Sequence, residues 1–222
     1  MPDSSFSATV VTYRPDTALL ERALRSLGAA IERAREAGLI SDAAVFVVDN
    51  GPADSLGPVC EATRAFPKDA GRIEIVHGHG NVGYGRANNL VLPRLASGFH
   101  LIMNPDVELD PQALACALQA LREDARLGLV APQVRDANGE PQYLCKRYPS
   151  VWVLFLRGFA PGALRRRFAR ALDDYEMRDL APDRAFAPVP LASGCFMLVR
   201  TELSRACADS IRVSSCTSRI TT

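Results

Sequence analysis

Short apolar runs alternate along this chain with segments of helical periodicity, and this alternation constrains the fold more than any other feature. The runs at residues 8–13, 43–48, 72–76 and 100–103 are mostly apolar or β-branched. Between the first two, apolar residues recur at helical spacing over residues 19–30. Strands that are apolar on both faces need cover on both sides. The pattern therefore predicts an α/β fold with a mostly parallel sheet and helices on both faces.

The rest of the chain extends this pattern. Asp16 or Thr17 is expected to cap the first helix. Further helices are expected at residues 59–64, 84–92 and 111–121, and further strands at 128–132 and 194–199. Residues 136–190 are less periodic and richer in proline and arginine, so we expect them to be inserted before the last strand. Residues 1–200 are thus expected to form one domain.

Composition excludes several classes of protein. A net charge of +1 over 222 residues gives no general attraction for nucleic acid. The six cysteines lack metal-site spacing, and the chain starts without a secretory leader, so reduced thiols are expected. No apolar run is long enough to span a bilayer. We expect a cytoplasmic protein, or one bound peripherally to the inner face of the cell membrane.

Polar residues follow three of the predicted strands. In parallel sheets, ligands bind beyond the carboxyl ends of the strands. These ends are therefore expected to converge on one crevice. The residues concerned are Thr12, Tyr13, Asp49, Asn50, Asn104 and Asp106.

The acidic residues at these strand ends have two interpretations each. Asp106 is suited to bind a divalent cation that also contacts substrate phosphates, or else it shapes a turn. Asp110 is expected to cap the helix that follows Pro111. Asp49 and Asn50 are either ligand contacts or an Asx turn.

A glycine pattern at residues 78–83 matches the dinucleotide fingerprint G-x-G-x-x-G. In dinucleotide-binding folds this loop follows the first strand, whereas here it follows the third predicted strand. The position disfavours an oxidoreductase. The glycines then serve a tight turn before the helix at 84–92.

Five motifs taken in order resemble the family 2 glycosyltransferases, and their rhamnosyltransferase-like branch in particular. They are VVTY at 10–13, VVDNG at 47–51, NVGYGRANN at 81–89, LIMNPD at 101–106 and SGCFM at 193–197. The resemblance implies a GT-A fold, a dTDP- or UDP-linked sugar donor, Mg²⁺ or Mn²⁺, and inversion at the anomeric carbon. It also implies a glycan or lipid-linked acceptor in cell-envelope polysaccharide synthesis.

The same resemblance assigns roles to residues. Thr12 and Tyr13 would line the nucleoside pocket, and Asp49 would contact the base or ribose. Asp106 corresponds to the last acid of the family's D-x-D motif and would bind the metal, with Asn104 in place of the first acid. The implied donor-binding set is Thr12, Tyr13, Asp49, Asn50, Asn81, Gly83, Gly85, Asn88 and Asn104.

The chain departs from the family after about residue 200. Members place their catalytic base in an acidic E-D-x-D motif, whereas residues 201–222 contain only Glu202 and Asp209 as acids. Suitable synonymous codons for residues 208–222 would read GFDSRFFLYFEDYD in another frame. We therefore expect a frameshift between about residues 201 and 207, in the gene or in the determined sequence. The alternatives are a natural divergent terminus and a non-catalytic nucleotide-sugar-binding remnant.

Residues 148–172 combine aromatic and aliphatic side chains with clustered arginines. Such a combination is compatible with peripheral contact with an anionic membrane. The sequence favours the alternative, a packed helix pair with a solvated basic face, since Pro161 and Gly162 interrupt any single amphipathic helix.

Overall fold

The structure is a computed structural model that describes residues 4–136, 138–143, 145–178 and 189–210. The described residues form two units. One contains the residues up to Val130 together with those from Gly194 onward, and the other is Ala131–Ser193. The less periodic segment 136–190 falls within the bounds of the second unit.

Strands and helices alternate through the first unit, as the sequence predicts. The described strands are β1 (Ser5–Thr12), β2 (Asp42–Asp49), β3 (Arg72–Val76), β4 (Phe99–Met103), β5 (Leu129–Val130), β6 (Val134–Arg135), β7 (Pro141–Gln142) and β8 (Phe196–Arg200). The described helices are α1 (Thr17–Glu36), α2 (Leu56–Thr63), α3 (Tyr84–Asn89), α4 (Ala113–Glu123), α5 (Val151–Gly158), α6 (Gly162–Arg167), α7 (Ala169–Tyr175) and α8 (Thr201–Ser210), with short 3₁₀ helices at Ala53–Ser55, Lys68–Ala70 and Leu92–Arg94.

The main sheet has the order β3-β2-β1-β4-β8-β5. Strands β1 to β4 pair in parallel, which confirms the mostly parallel sheet. β8 pairs antiparallel with both β4 and β5. The sequence predicted a strand at 194–199 but not its antiparallel direction, because the residues between β5 and β8 include the whole second unit.

Helices cover both faces of this sheet, as predicted. Alternate residues of β1, such as Phe6, Ala8 and Val10, join a core with the buried face of α1. Val11 on the other face joins a second core that contains Ala87 of α3. Asp16 caps α1, because its Oδ1 accepts hydrogen bonds from the backbone N–H groups of Ala18 and Leu19.

Some element bounds differ from the predictions. The strand expected at 128–132 is only Leu129–Val130, and the helix expected at 84–92 ends at Asn89. Pro93 explains the second difference, because it has no N–H group to donate to the carbonyl of Asn89. The chain continues instead as the 3₁₀ helix Leu92–Arg94. No helix in the described residues is long and apolar enough to cross a bilayer.

A buried polar cluster between β1 and β4 was not predicted from the sequence. His100 is fully buried, and its Nδ1 lies 2.7 Å from the hydroxyl of Ser7. Its Nε2 lies 3.2 Å from the hydroxyl of Thr9, and Ser97 extends the cluster at 2.6 Å from Ser7. Burial lowers the pKa of His100 to about 4, because the charged imidazolium is poorly solvated inside the protein.

The His100 cluster predicts a pH-dependent stability. The unfolded chain protonates this imidazole near pH 6.5, but the folded chain does so only near pH 4, so stability falls as the pH drops through this window. The free energy of unfolding in urea should decrease by about 2 kcal/mol from pH 7 to pH 5. His100→Gln should remove this decrease, and His77→Gln, at an exposed position, should keep it. A His100→Gln protein with the full pH dependence would contradict the assignment.

Candidate functional site

The carboxyl ends of β1, β2 and β4 lie together at one edge of the sheet. The parallel register pairs Thr12 with Asp49, and the backbone N–H of Asn50 donates to the carbonyl of Thr12 at 2.9 Å. Val10 pairs with Met103, so β4 ends beside the last residues of β1. The predicted convergence of the polar strand ends is therefore present in the structure.

Thr12 and Tyr13 differ in their exposure. The hydroxyl of Thr12 is buried and donates to the carbonyl of Val48 at 3.5 Å. The side chain of Tyr13 is 54% exposed at the mouth of the strand ends. Of the two residues predicted to line a nucleoside pocket, Tyr13 thus has the side chain that solvent or a ligand reaches directly.

Asp49 forms the Asx turn that was one of its two interpretations. Its Oδ1 accepts a hydrogen bond from the N–H of Gly51 at 3.1 Å. The hydroxyl of Ser55 lies 2.8 Å from both carboxylate oxygens, and Asp49 is only 3% exposed. These contacts anchor the start of the segment that follows β2. Contact of Asp49 with a base or ribose stays a prediction.

Two asparagine amides hold the glycine-rich loop against the end of β2. Nδ2 of Asn50 donates to Oδ1 of Asn81 at 3.0 Å, and Oδ1 of Asn50 accepts from the N–H of Val82 at 3.0 Å. Oδ1 of Asn81 also accepts from the N–H of Gly83 at 3.0 Å. The two residues therefore position the loop through their side chains, in addition to any ligand contact.

Gly83 is the residue at which the loop turns into α3. Its φ of 84° lies in a region that side chains disfavour, which explains the glycine. Its carbonyl accepts from the N–H of Ala87 and so starts the helix. Gly85 lies in the first turn of α3, half-buried. The loop follows β3 at the edge of the sheet, which agrees with rejection of the dinucleotide hypothesis.

Asn88 is buried in α3 with half of its amide satisfied. Nδ2 donates to the carbonyl of Tyr84 at 3.0 Å. Oδ1 is buried and has no hydrogen-bond partner among the described residues. A buried acceptor without a partner is costly, so this oxygen is suited to receive a hydrogen bond from a bound molecule.

Tyr84 connects the motif at 81–89 with the motif at 193–197, a contact that the sequence did not predict. Its hydroxyl donates to the carbonyl of Gly194 at 2.9 Å. A Cβ at position 194 would lie 3.3 Å from Cε1 of Tyr84, so the glycine permits this close approach. Desolvation raises the pKa of Tyr84 to about 12, against an opposing effect of the Asn88 side chain and with smaller additions from Cys195 and Asp106. No sequence signal links two positions so far apart in the chain.

Of the three acidic residues after β4, two make contacts within the protein and one does not. Glu108 forms an ion pair with Arg22 at 2.6 Å. Asp110 accepts from the N–H of Gln112 at 2.8 Å and so stabilises the turn before α4. The predicted capping role is wrong, because α4 begins at Ala113 with Gln112 as its N-cap and no side-chain cap. Asp106 is exposed and has no hydrogen bond or ion pair within the described residues.

Asn104 fixes the start of this acidic segment. Its backbone N–H donates to the carbonyl of Cys195 at 3.0 Å, which connects the end of β4 to the segment before β8. The hydrogen bonds of Tyr84 to Gly194 and of Asn104 to Cys195 thus bring the start of α3 and the end of β4 to the same short segment before β8. The described residues contain no cluster of three or more side chains able to enclose a metal. A cation here would take Asp106, water and ligand phosphate oxygens.

Comparison with known proteins identifies the class of the chain. Residues 7–205 match the profile of the family described as Glycosyl transferase family 2. The chain is 28% identical over 203 residues to the N-acetylglucosaminyl-diphospho-decaprenol L-rhamnosyltransferase of Mycobacterium tuberculosis. This match covers 86% of the chain and 59% of the relative, so the chain spans less than two thirds of that protein's length.

Solved structures confirm the fold. The mannosyltransferase PcManGT from Pyrobaculum calidifontis, in complex with GDP-Man and Mn²⁺, aligns with a TM-score of 0.57 and 18% identity over 91% of this chain and 46% of its own. TarS of S. aureus, in complex with UDP-GlcNAc, aligns with a TM-score of 0.52 and 16% identity over 92% of this chain and 47% of its own. The GT-A fold is thus confirmed, and the family match over residues 7–205 establishes that this chain belongs to glycosyl transferase family 2.

Proposed function

We propose that the protein is an inverting glycosyltransferase that takes a sugar from a dTDP- or UDP-linked donor and transfers it to a glycan or lipid-linked acceptor. The observation that carries this proposal is the convergence of the ends of β1, β2 and β4 at one edge of the sheet, followed by Asp106, which is exposed and has no ion pair among the described residues. Rhamnose is the first sugar to test, because the similar mycobacterial protein is named an L-rhamnosyltransferase. We place the reaction at the inner face of the cell membrane, where a lipid-linked acceptor would be available.

Asp106 is the residue that would hold Mg²⁺ or Mn²⁺. A single exposed carboxylate suits these cations, which retain waters and bind substrate phosphates. When bound, the metal neutralises the charge that develops on the departing nucleoside diphosphate. Tyr84 stays protonated at neutral pH and keeps its hydrogen bond to Gly194, so it holds the Cys195 segment next to Asp106.

The donor nucleotide would lie against the ends of β1 and β2. Tyr13 offers an exposed ring for contact with the nucleoside, and Asp49 and Asn50 are buried at the end of the adjacent strand. The Asn50–Asn81 contact keeps the loop in one position before the donor binds. A preorganised loop lowers the entropy cost of binding.

The second candidate is a nucleotide-sugar-binding protein without transferase activity. An acceptor hydroxyl is a weak nucleophile and needs a carboxylate base. The family resemblance places that base in an E-D-x-D motif, and residues 201–222 offer only Glu202 and Asp209 as acids. The two candidates differ in one assay: the second binds donor, but transfers no sugar to any acceptor.

The metal assignment predicts the effect of Asp106→Asn. Calorimetric titration with dTDP and UDP should give metal-dependent binding to the unaltered chain. Asp106→Asn should weaken binding in Mn²⁺ on the order of tenfold or more, with no change when Mn²⁺ is left out. Glu108→Gln is the matched control, since it removes the same charge two residues away and should leave binding intact. Equal nucleotide affinities for the Asp106→Asn and unaltered chains would contradict the metal assignment and leave Asp106 with a role in the turn only.

The loop assignment predicts the effect of Asn50→Ala. The change leaves the Val82 N–H and the Asn81 side chain without their partner, at a cost of about 1–3 kcal/mol. Hydrogen exchange at Val82 should speed up, and nucleotide affinity should fall. Asn89→Ala is the control, because the Asn89 side chain in α3 makes no hydrogen bond to any described residue and alanine favours helix. If Asn50→Ala exchanges and binds like the control, the amide contact does not organise the loop.

We also propose that residues 201–222 are an aberrant tail, out of frame over 208–222. The segment beyond Ser210 lies outside the described residues. The nucleotide sequence tests this directly, because only certain synonymous codons permit the reading GFDSRFFLYFEDYD. A CGN codon at Arg219 is incompatible with that reading and would refute the frameshift.

A further inference from the structure

The first six residues of helix α5, Val151 to Leu156, are all apolar. Val153 and Leu156 form its buried side, at 6% and 0% exposure. On the other side, Trp152 and Phe155 are 45% and 44% exposed. A helix that packs on one side normally places polar residues on the other. The outer side of α5 therefore presents an apolar surface to its surroundings.

Four aromatic rings form a continuous group on this outer side. Trp152 stacks on Phe155 with 5.5 Å between ring centroids, and Phe155 stacks on Phe159 at 6.2 Å. Phe168, which precedes α7, meets the edge of Trp152 at 5.4 Å. We call these four residues the aromatic cluster. Contiguous exposed apolar surface of this kind usually marks a binding surface.

Arginines border the aromatic cluster. The guanidinium of Arg167 lies 5.9 Å from the ring centroid of Phe168. Arg166 and Arg170 flank the same ring in the chain, and both are exposed. These three arginines, the basic rim, form no ion pair with an acid among the described residues.

The acids near the basic rim are occupied by other cations. Asp174 pairs with Arg147 at 2.9 Å, and Asp173 pairs with Arg178 at 3.3 Å. Glu176 pairs with Arg178 at 2.8 Å. Residues 148–172 contain five arginines and no acid. The positive charge beside the aromatic cluster is therefore not neutralised locally.

We propose that the aromatic cluster and the basic rim form one surface that docks on an anionic lipid bilayer. The rings suit the boundary between head groups and acyl chains, and the arginines suit anionic head groups at the same depth. Neither part involves the strand ends that form the donor site. The role of this surface rests on the proposed function: it would hold the enzyme where a lipid-linked acceptor is present. Membrane binding itself does not depend on that function.

Trp152 provides a direct probe, because it is the only tryptophan in the chain. The full chain is titrated with vesicles of phosphatidylcholine alone and with increasing phosphatidylglycerol. With anionic vesicles, Trp152 emission should shift to the blue and be quenched by brominated lipid, and salt should weaken binding. Vesicle binding without quenching of Trp152 would overturn the proposed surface, as would no binding at all.

Paired variants separate the contributions of charge and rings. Arg166→Gln with Arg170→Gln should weaken binding to anionic vesicles about fivefold for each charge removed. Arg25→Gln with Arg64→Gln removes the same charge from exposed positions on the first unit and should bind like the unaltered chain. Phe155→Ala with Phe159→Ala should weaken binding and reduce quenching of Trp152 while circular dichroism stays native. If both arginine double variants lose vesicle affinity equally, the basic rim is not the part of the surface that binds anionic lipid.

Self-association is the competing use of this surface, and sedimentation velocity decides it. The proposal expects no dependence of mass on protein concentration in the absence of lipid. The proposal would be overturned if the unaltered chain forms a dimer, the Phe155→Ala, Phe159→Ala double variant is a monomer, and the unaltered chain does not bind vesicles. Titration of the same samples with UDP and Mn²⁺ tests the proposed function separately, so that either idea fails without the other.

Discussion

The position of β1 between β2 and β4 determines the rest of the sheet unit. Its residues from Phe6 to Thr12 are buried, so both faces of the strand contribute to a core. A slip of one residue would exchange the two sets and place Ser7 and Thr9 against the apolar face of α1. The register is therefore fixed by burial as well as by hydrogen bonds. It is this register that aligns Thr12 with Asp49 and brings the end of β4 to the same edge.

The candidate site is built on this edge by hydrogen bonds between segments distant in sequence. Asn50 at the end of β2 holds the loop at Val82, and Tyr84 at the start of α3 holds Gly194. The backbone of Asn104 then holds Cys195. None of these contacts uses the carboxylate of Asp106. The hydrogen bonds thus hold the segments of the crevice together, while Asp106 stays exposed and without an ion pair among the described residues.

The sequence predicted most of the sheet because apolar runs and helical periodicity report burial directly, as in α1 and β2. It could not predict partners. Asp49, Asn50 and Asn81 were recognised as polar residues at strand ends, but their bonds to Ser55, Val82 and each other depend on the folded geometry. His100 was included in an apolar strand, and only the register opposite Ser7 reveals its polar cluster. A strand was predicted at 194–199, but the antiparallel pairing of β8 was beyond prediction, since it follows an insertion that the periodicity does not describe.

The arrangement of charge explains why a nearly neutral chain presents distinct surfaces. After β4, Glu108 and Asp110 are engaged by Arg22 and a backbone N–H, which leaves Asp106 as the available carboxylate. In the second unit, Asp173, Asp174 and Glu176 are engaged by cations of the same unit, which leaves the basic rim as available positive charge. Exposed ion pairs add little to the free energy of folding. Their main effect here is to determine which charged side chains remain unpaired. One unit retains an anion suited to a metal and the other retains cations suited to acidic head groups, and a net charge of +1 reveals neither.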